Sequence, residues 1–170
     1  VLTMAGQTYE QGDILIDDVG LIAAVGERLP APDGTPCVEA EGLTALPGFI
    51  DAHCHIGMFE NGMGFEGDDG NEMTDPITPQ LREIDAINPE DVCFQEAYEH
   101  GVTTVCTGPG SANVIGGTFV AMKTYGRRVD DMVIANPLAL KCAFGENPKR
   151  VYSGLKRTPS TRMATAALLR

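Results

Sequence analysis

Tryptophan is absent from these 170 residues, histidine occurs three times, and Lys and Arg together number 12 against 24 Asp and Glu. That shortage of positive charge leaves a net charge of -12, which repels phosphate backbones and excludes nucleic acid as an expected partner. No apolar run approaches the ~20 residues that a membrane-crossing helix needs, and no leader peptide is visible, so no membrane partner is expected. The five cysteines (Cys37, Cys54, Cys93, Cys106, Cys142) form no CxxC pair and are odd in number. They read as buried free thiols in a reducing compartment, with the cytoplasm as the default. Repeats and low-complexity tracts are missing too. The first residue is Val1 rather than Met, inside the apolar stretch "VLTMAG", so the true N-terminus is expected upstream.

What is present suits a globular chain: 43% hydrophobic and 21% charged residues, enough for one ordinary domain with a core. Residues 1–45 read as a small β unit, with "GDILIDD" alternating apolar and polar positions and "LIAAVGE" as a short apolar strand. From Leu43 to Ile56 the chain is almost continuously apolar, as expected of a strand buried on both faces of a parallel sheet. An acidic, Gly-rich loop spans about 57–87, a length usually reserved for lids and binding loops. Asn88 and Pro89 suit the start of a helix that ends at Gly101. Strands follow in "VTTVCTG", "GGTFVAMKTYG" and "MVIANPLALKCAFG", and "TPSTRMATAALLR" opens like a capped helix. The strand–helix–strand order of 46–107 favours an α/β fold with parallel strands.

Against this background "LPGFIDAHCHIGM" stands out, because it carries two of the three histidines. Strand side chains alternate faces, so His53 and His55 share one face with Asp51, and Cys54 takes the other. Two imidazoles side by side at a strand end, opening onto a long loop, suit one divalent metal ion.

"PGFIDAHCHI" resembles the first-strand signature of the amidohydrolase superfamily: Gly, an apolar pair, Asp, any residue, His, any residue, His. The likeness extends upstream to "GDILIDD...IAAVG" and "EGLTALPGFID", and downstream to "HGVTTV". "PGSANVIGG" and "ALKCAFGENPKR" are similar to the imidazolonepropionase and prolidase-type branch. "DDVGLIAAVG" departs from the family's usual Gly-Lys turn, far from the chemistry. The resemblance implies a small β-sandwich subdomain (residues 1–45 here) leading into a metal-binding TIM-type (β/α)8 barrel from residue 46 to 170. It makes His53 and His55 ligands of the more buried metal, zinc by imidazole preference, with one ion or two. The metal acidifies water and polarises the substrate carbonyl.

The same resemblance bears on other residues. Lys141, in "ALKCAFG", matches a fourth-strand lysine that is carboxylated by CO2 and bridges two metals; against that stands an ordinary strand-end lysine. Glu146 is the alternative bridging ligand, or else a loop acid beside a proline, and Lys123 is a third choice. Ser111 and Asn113, in "GPGSANVIGG", would face substrate unless that loop is a plain turn. Glu66, Asp68, Asp69 and Glu72 lack the alternating order of a calcium loop and read as a solvated lid. His100, before Gly101, suits a helix C-terminus.

Amidohydrolases of this kind also use histidines on two later strands and a proton-shuttling aspartate, and a (β/α)8 barrel takes ~250 residues. After His100 there is no further histidine. The expectation is therefore the N-terminal portion of a metal-dependent amidohydrolase that cleaves a C–N bond in a small molecule, its catalytic Asp lying beyond residue 170. The piece alone should leave an open sheet edge and be inactive, and a homo-oligomer is compatible with that edge. The alternatives are a non-catalytic amidohydrolase-fold scaffold, which has no need of two adjacent ligands, and a deaminase of the same superfamily.

Overall fold

The computed structural model describes residues 1–170, which fall into two compact units, Val1–Gly48 and Phe49–Arg170. In the first unit β1 (Asp13–Ile16) and β2 (Ile22–Gly26) pair antiparallel. Asp17 builds the turn between them: one carboxylate oxygen accepts from the amides of Val19 and Leu21 at 3.0 and 2.8 Å. Beyond this hairpin the unit holds one isolated bridge, Leu2 with Thr8.

The second unit is built on a four-stranded sheet in the order β3 (Phe49–Cys54), β4 (Val102–Thr107), β5 (Ile115–Lys123), β6 (Val133–Cys142). Four helices complete it: α1 (Val92–Glu99), the single turn α2 (Val129–Met132), α3 (Glu146–Gly154) and α4 (Arg162–Leu169). β3 and β4 are parallel, joined through α1 in a βαβ unit. The wholly parallel sheet expected from sequence is not what forms, because β5 runs antiparallel to both β4 and β6. The reason lies in the connections. Parallel neighbours need a crossover of a dozen or more residues, and the segments 108–114 and 124–132 are too short for one.

β3 also departs from expectation. It is an outer strand rather than a doubly buried one, and Phe49 and Ile50 are 58% and 73% exposed. The core lies on one side of the sheet, where Met58, Ile87, Phe94, Val105, Val120, Met122 and Met132 cluster with Cys54 and Ile56 packed against them. The other side, carrying the alternate residues, is left for chemistry. The cysteines are all free, but Cys37 and Cys142 are exposed rather than buried, since both lie outside that core.

Helix α1 starts later than the sequence suggests. Asn88 closes a turn by accepting from the Glu90 amide, and the cap is Asp91, whose Oδ1 accepts from Cys93 N at 3.1 Å. Its Oδ2 accepts from Gly57 N, also at 3.1 Å, which ties the exit of β3 to the helix. Gly57 is required there: φ is +91°, and a Cβ would press on the Phe94 ring. Asp91 is buried, so Asp91→Ala should cost about 2 kcal/mol, and Asn88→Ala within about 0.5 kcal/mol, as read from urea midpoints. His100 is the C-cap of α1, its Nδ1 2.8 Å from Glu96 O.

The acidic loop is organised rather than structureless. Residues 64–67 and 83–85 form 3-10 turns, and Phe59 bridges Asp68. Residues 70–81 are stitched to 110–118: Gly110 N donates to Gly70 O (2.8 Å), Ala112 N to the Asn71 side chain (3.0 Å) and Thr118 N to Leu81 O (3.0 Å). Helix α3 has no strong sequence signal, since "ENP" reads as a turn. Pro148 falls in its first turn, where its missing N–H costs nothing. Thr161 caps α4 by accepting from Ala164 N at 3.1 Å.

Candidate metal centre

His53 lies near the end of β3 and His55 just beyond it, and pleat alternation turns both away from the core that Cys54 and Ile56 enter. Their ring centroids are 5.1 Å apart, with planes at 85°. His55 Nδ1 is 2.7 Å from the Gly108 carbonyl. A carbonyl oxygen can only accept, so Nδ1 carries a proton here, and the neutral ring is held in the tautomer whose lone pair is on Nε2. This is how metal-binding imidazoles are commonly held.

His53 has more than a third of its surface open, yet burial of the rest is the first cause that lowers its pKa. Lys141 and His55 push the same way and Asp51 opposes them. The result favours the neutral ring, which is the ligating form. Asp51 does not reach the metal face as a further ligand; its Oδ1 accepts from His53 N at 3.1 Å and shapes the strand end.

Lys141 lies on β6, the edge strand opposite β3, paired with Gly117 and on the same face as Phe119. Its Nζ lies 5.7 Å from the centroid of Phe119. Burial lowers its pKa, while the ring face attracts an ammonium by about 0.5–1 kcal/mol, so the two influences oppose. Phe119 is the residue that sequence reading missed. It is 4% exposed, with its ring centroid 5.2 Å from that of His53 and 6.3 Å from that of His55. Nothing local marks it; its position follows from register, since Phe119 pairs with Ala139 two residues from Lys141.

The remaining sequence candidates are placed elsewhere. Glu146 is 81% exposed in the first turn of α3, paired with Lys149 at 3.3 Å. No three His, Cys, Asp or Glu side chains gather in one place, so Glu146 does not complete a set with the histidines. Lys123 donates to Thr104 Oγ1 at 3.1 Å, level with Ile50 and roughly 10 Å down the strands from His53. Ser111 is half-buried in the loop after β4. Asn113 is buried and occupied: its amide nitrogen donates to Glu72 O (2.6 Å) and Thr78 Oγ1 (2.8 Å), and its oxygen accepts from Tyr152 OH (2.5 Å). Both of its N–H donors are thus used within the fold. Glu66, Asp68, Asp69 and Glu72 are exposed.

Gly108 serves the site twice. Its carbonyl orients His55, and its lack of a Cβ lets the Phe119 ring lie against the backbone, where a methyl group would collide with it. Gly108→Ala should therefore destabilise by about 1–3 kcal/mol, measured by thermal or urea unfolding.

Two imidazoles with free or freeable lone pairs and an amine beside them make a partial donor set for a divalent ion. It fits zinc in kind, because imidazole is a preferred zinc ligand, and it falls short in number of the three protein ligands of a catalytic site.

No family model matches the chain. It is 37% identical to the amidohydrolase tasK of Hapsidospora irregularis, over 93% of this chain and 17% of that protein. A dihydroorotase of Citrifermentans bemidjiense is 48% identical over 26% of this chain and 10% of its own. Among solved structures, an amidohydrolase from Thermotoga maritima MSB8 superposes with a TM-score of 0.79 at 42% identity, covering 92% of this chain and 40% of that one. The chain thus spans less than half the length of each of these relatives.

Proposed function

Because this chain belongs to the amidohydrolase superfamily, we propose that it carries the first ligands of a metal-dependent hydrolase of C–N bonds in cyclic amides or short peptides. The observation that carries this is the pairing of His53 and His55 with the His55 proton committed to the Gly108 carbonyl. In this reading the βαβ unit β3–α1–β4 opens a (β/α)8 barrel, with β5 as a departure from it, and Val1–Gly48 belongs to a β-sandwich. The dihydroorotase likeness favours a cyclic amide substrate. Retention of two adjacent imidazoles argues against a scaffold without catalysis, and a deaminase shares the same first ligands.

His53 and His55 would hold the ion, with Lys141 as a third ligand once CO2 has turned its amine into a carbamate. A divalent ion there, zinc first, supplies Lewis acidity to the scissile carbonyl and acidifies water. The chain's own residues prepare the site for it. Gly108 fixes the His55 tautomer, and partial burial keeps His53 neutral. Burial of Lys141 raises the share of neutral amine, the form that reacts with CO2. Phe119, itself buried, packs beside both imidazoles. In this reading the proton shuttle and the remaining ligands would be supplied by residues other than these, as no third His, Asp or Glu joins the pair. The test is hydrolysis of a panel of cyclic amides and dipeptides by the zinc-loaded whole protein that contains this chain, because these residues alone are expected to be inactive. Stoichiometric metal without turnover of any member would reject the hydrolase reading.

A further inference from the structure

Three cationic or cationisable groups converge on one aromatic ring. His53 approaches Phe119 at 5.2 Å and 36°, His55 at 6.3 Å and 61°, and Lys141 Nζ at 5.7 Å. All three separations fall in the range where aromatic and cation–π contacts are oriented rather than casual. The ring itself cannot wander. It is 4% exposed, held by the β5 ladder on both sides, and lies so close to Gly108 that no Cβ fits there. Gly108 in turn holds His55 through its carbonyl. The loop is closed: backbone fixes ring, ring meets both imidazoles and the amine, and one imidazole returns to the backbone.

We infer that Phe119 is the positioning residue of this centre, a rigid spacer on β5 that sets the separation and tilt of His53, His55 and Lys141 before any ion arrives. The inference rests on the metal-centre reading above. No protein hydrogen bond to the His53 ring is formed, so the aromatic contact takes the orienting part that Gly108 plays for His55. A leucine or methionine at 119 would fill much of the volume, but neither presents a flat face to both imidazoles.

The experiment titrates Co2+ alone into the purified protein and reads both affinity and the d–d absorption bands, which report ligand number and geometry. Phe119→Leu and Phe119→Met should bind about 10–100-fold more weakly, with altered bands. Val120→Ala, on the core side of the same strand, should lose stability and leave the bands unchanged. That control separates positioning from general loosening, and the methionine variant stands in if the leucine variant does not fold. Unchanged affinity and bands in a folded Phe119 variant would overturn the inference while leaving the metal centre intact. Co2+ uptake that is the same in wild type and in the His53→Ala/His55→Ala variant would overturn the metal centre itself, and this inference with it.

Discussion

Replacing His53 and His55 together with Ala should remove bound zinc from the whole protein that contains this chain and abolish its hydrolysis, with little change in the unfolding midpoint. The asymmetry follows from where the rings sit. They stand on the side of the sheet opposite the Met58, Phe94 and Met122 core, and His53 is exposed. The only hydrogen bond lost from either ring is the one from His55 to Gly108, worth about 1 kcal/mol. No group of three or more His, Cys, Asp and Glu side chains gathers elsewhere to take the ion in their place. Elemental analysis and thermal unfolding read the two effects separately. Unchanged zinc content in the double variant would end the proposal, whatever the activity does.

The second large effect is structural. Asn113→Ala should destabilise the protein by about 3 kcal/mol, although the residue touches neither histidine ring. Its amide ties the loop after β4 to two other segments: Glu72 and Thr78 of the long loop, and Tyr152 of α3, which is fully buried. Removing it strands the Tyr152 hydroxyl away from water, which costs about 1–3 kcal/mol, and breaks the bonds to Glu72 O and Thr78 Oγ1 as well. Tyr152→Phe removes the hydroxyl as well as its bond and should cost about 1 kcal/mol. Burial, aided by Asp75, pushes the Tyr152 hydroxyl from 10.0 up to about 12. The folded protein thus holds this proton where the unfolded chain has lost it. Stability from this group is complete below pH 10 and is lost as the pH climbs towards 12. Urea midpoints between pH 9 and 11.5 should show that slope in the wild type and a shallower one in Tyr152→Phe.

The histidine pair was legible because it depends on nothing beyond the two-residue period of a strand. The C-terminal end of α1 at Gly101 and the capped start of α4 are similarly local, whereas the start of α1 lies at Asp91 and not at Asn88. Strand direction was not legible. "GGTFVAMK" and "MVIANPLALKC" read as strands whichever way they run, and their sense is decided by short connections acting on non-local partners. Burial of β3 was misjudged for a related reason: an apolar sequence shows that a strand can be covered, and only the sheet order shows whether it is. Lys141 was found through resemblance. Phe119 escaped because a phenylalanine in a β-strand has an ordinary reason to be there, and the ladder registers that bring it to the histidines span much of the chain.

The mixed sheet has a consequence for the order in which it assembles. β4, β5 and β6 are joined by short connections and pair with near neighbours, such as Thr107 with Val120 and Met122 with Val133. β3 must find β4 across about 50 residues, with Phe49 opposite Val102. Closing that longer span costs more chain entropy before any contact compensates for it. The meander should therefore form first and present Phe119 and Lys141 as a finished half, onto which the histidine strand docks last. Having a partner on one side only, β3 should also open more readily than the inner strands, so its amides should exchange with solvent sooner than those of β5. The protein would acquire its imidazoles at the end of folding and surrender them early in unfolding.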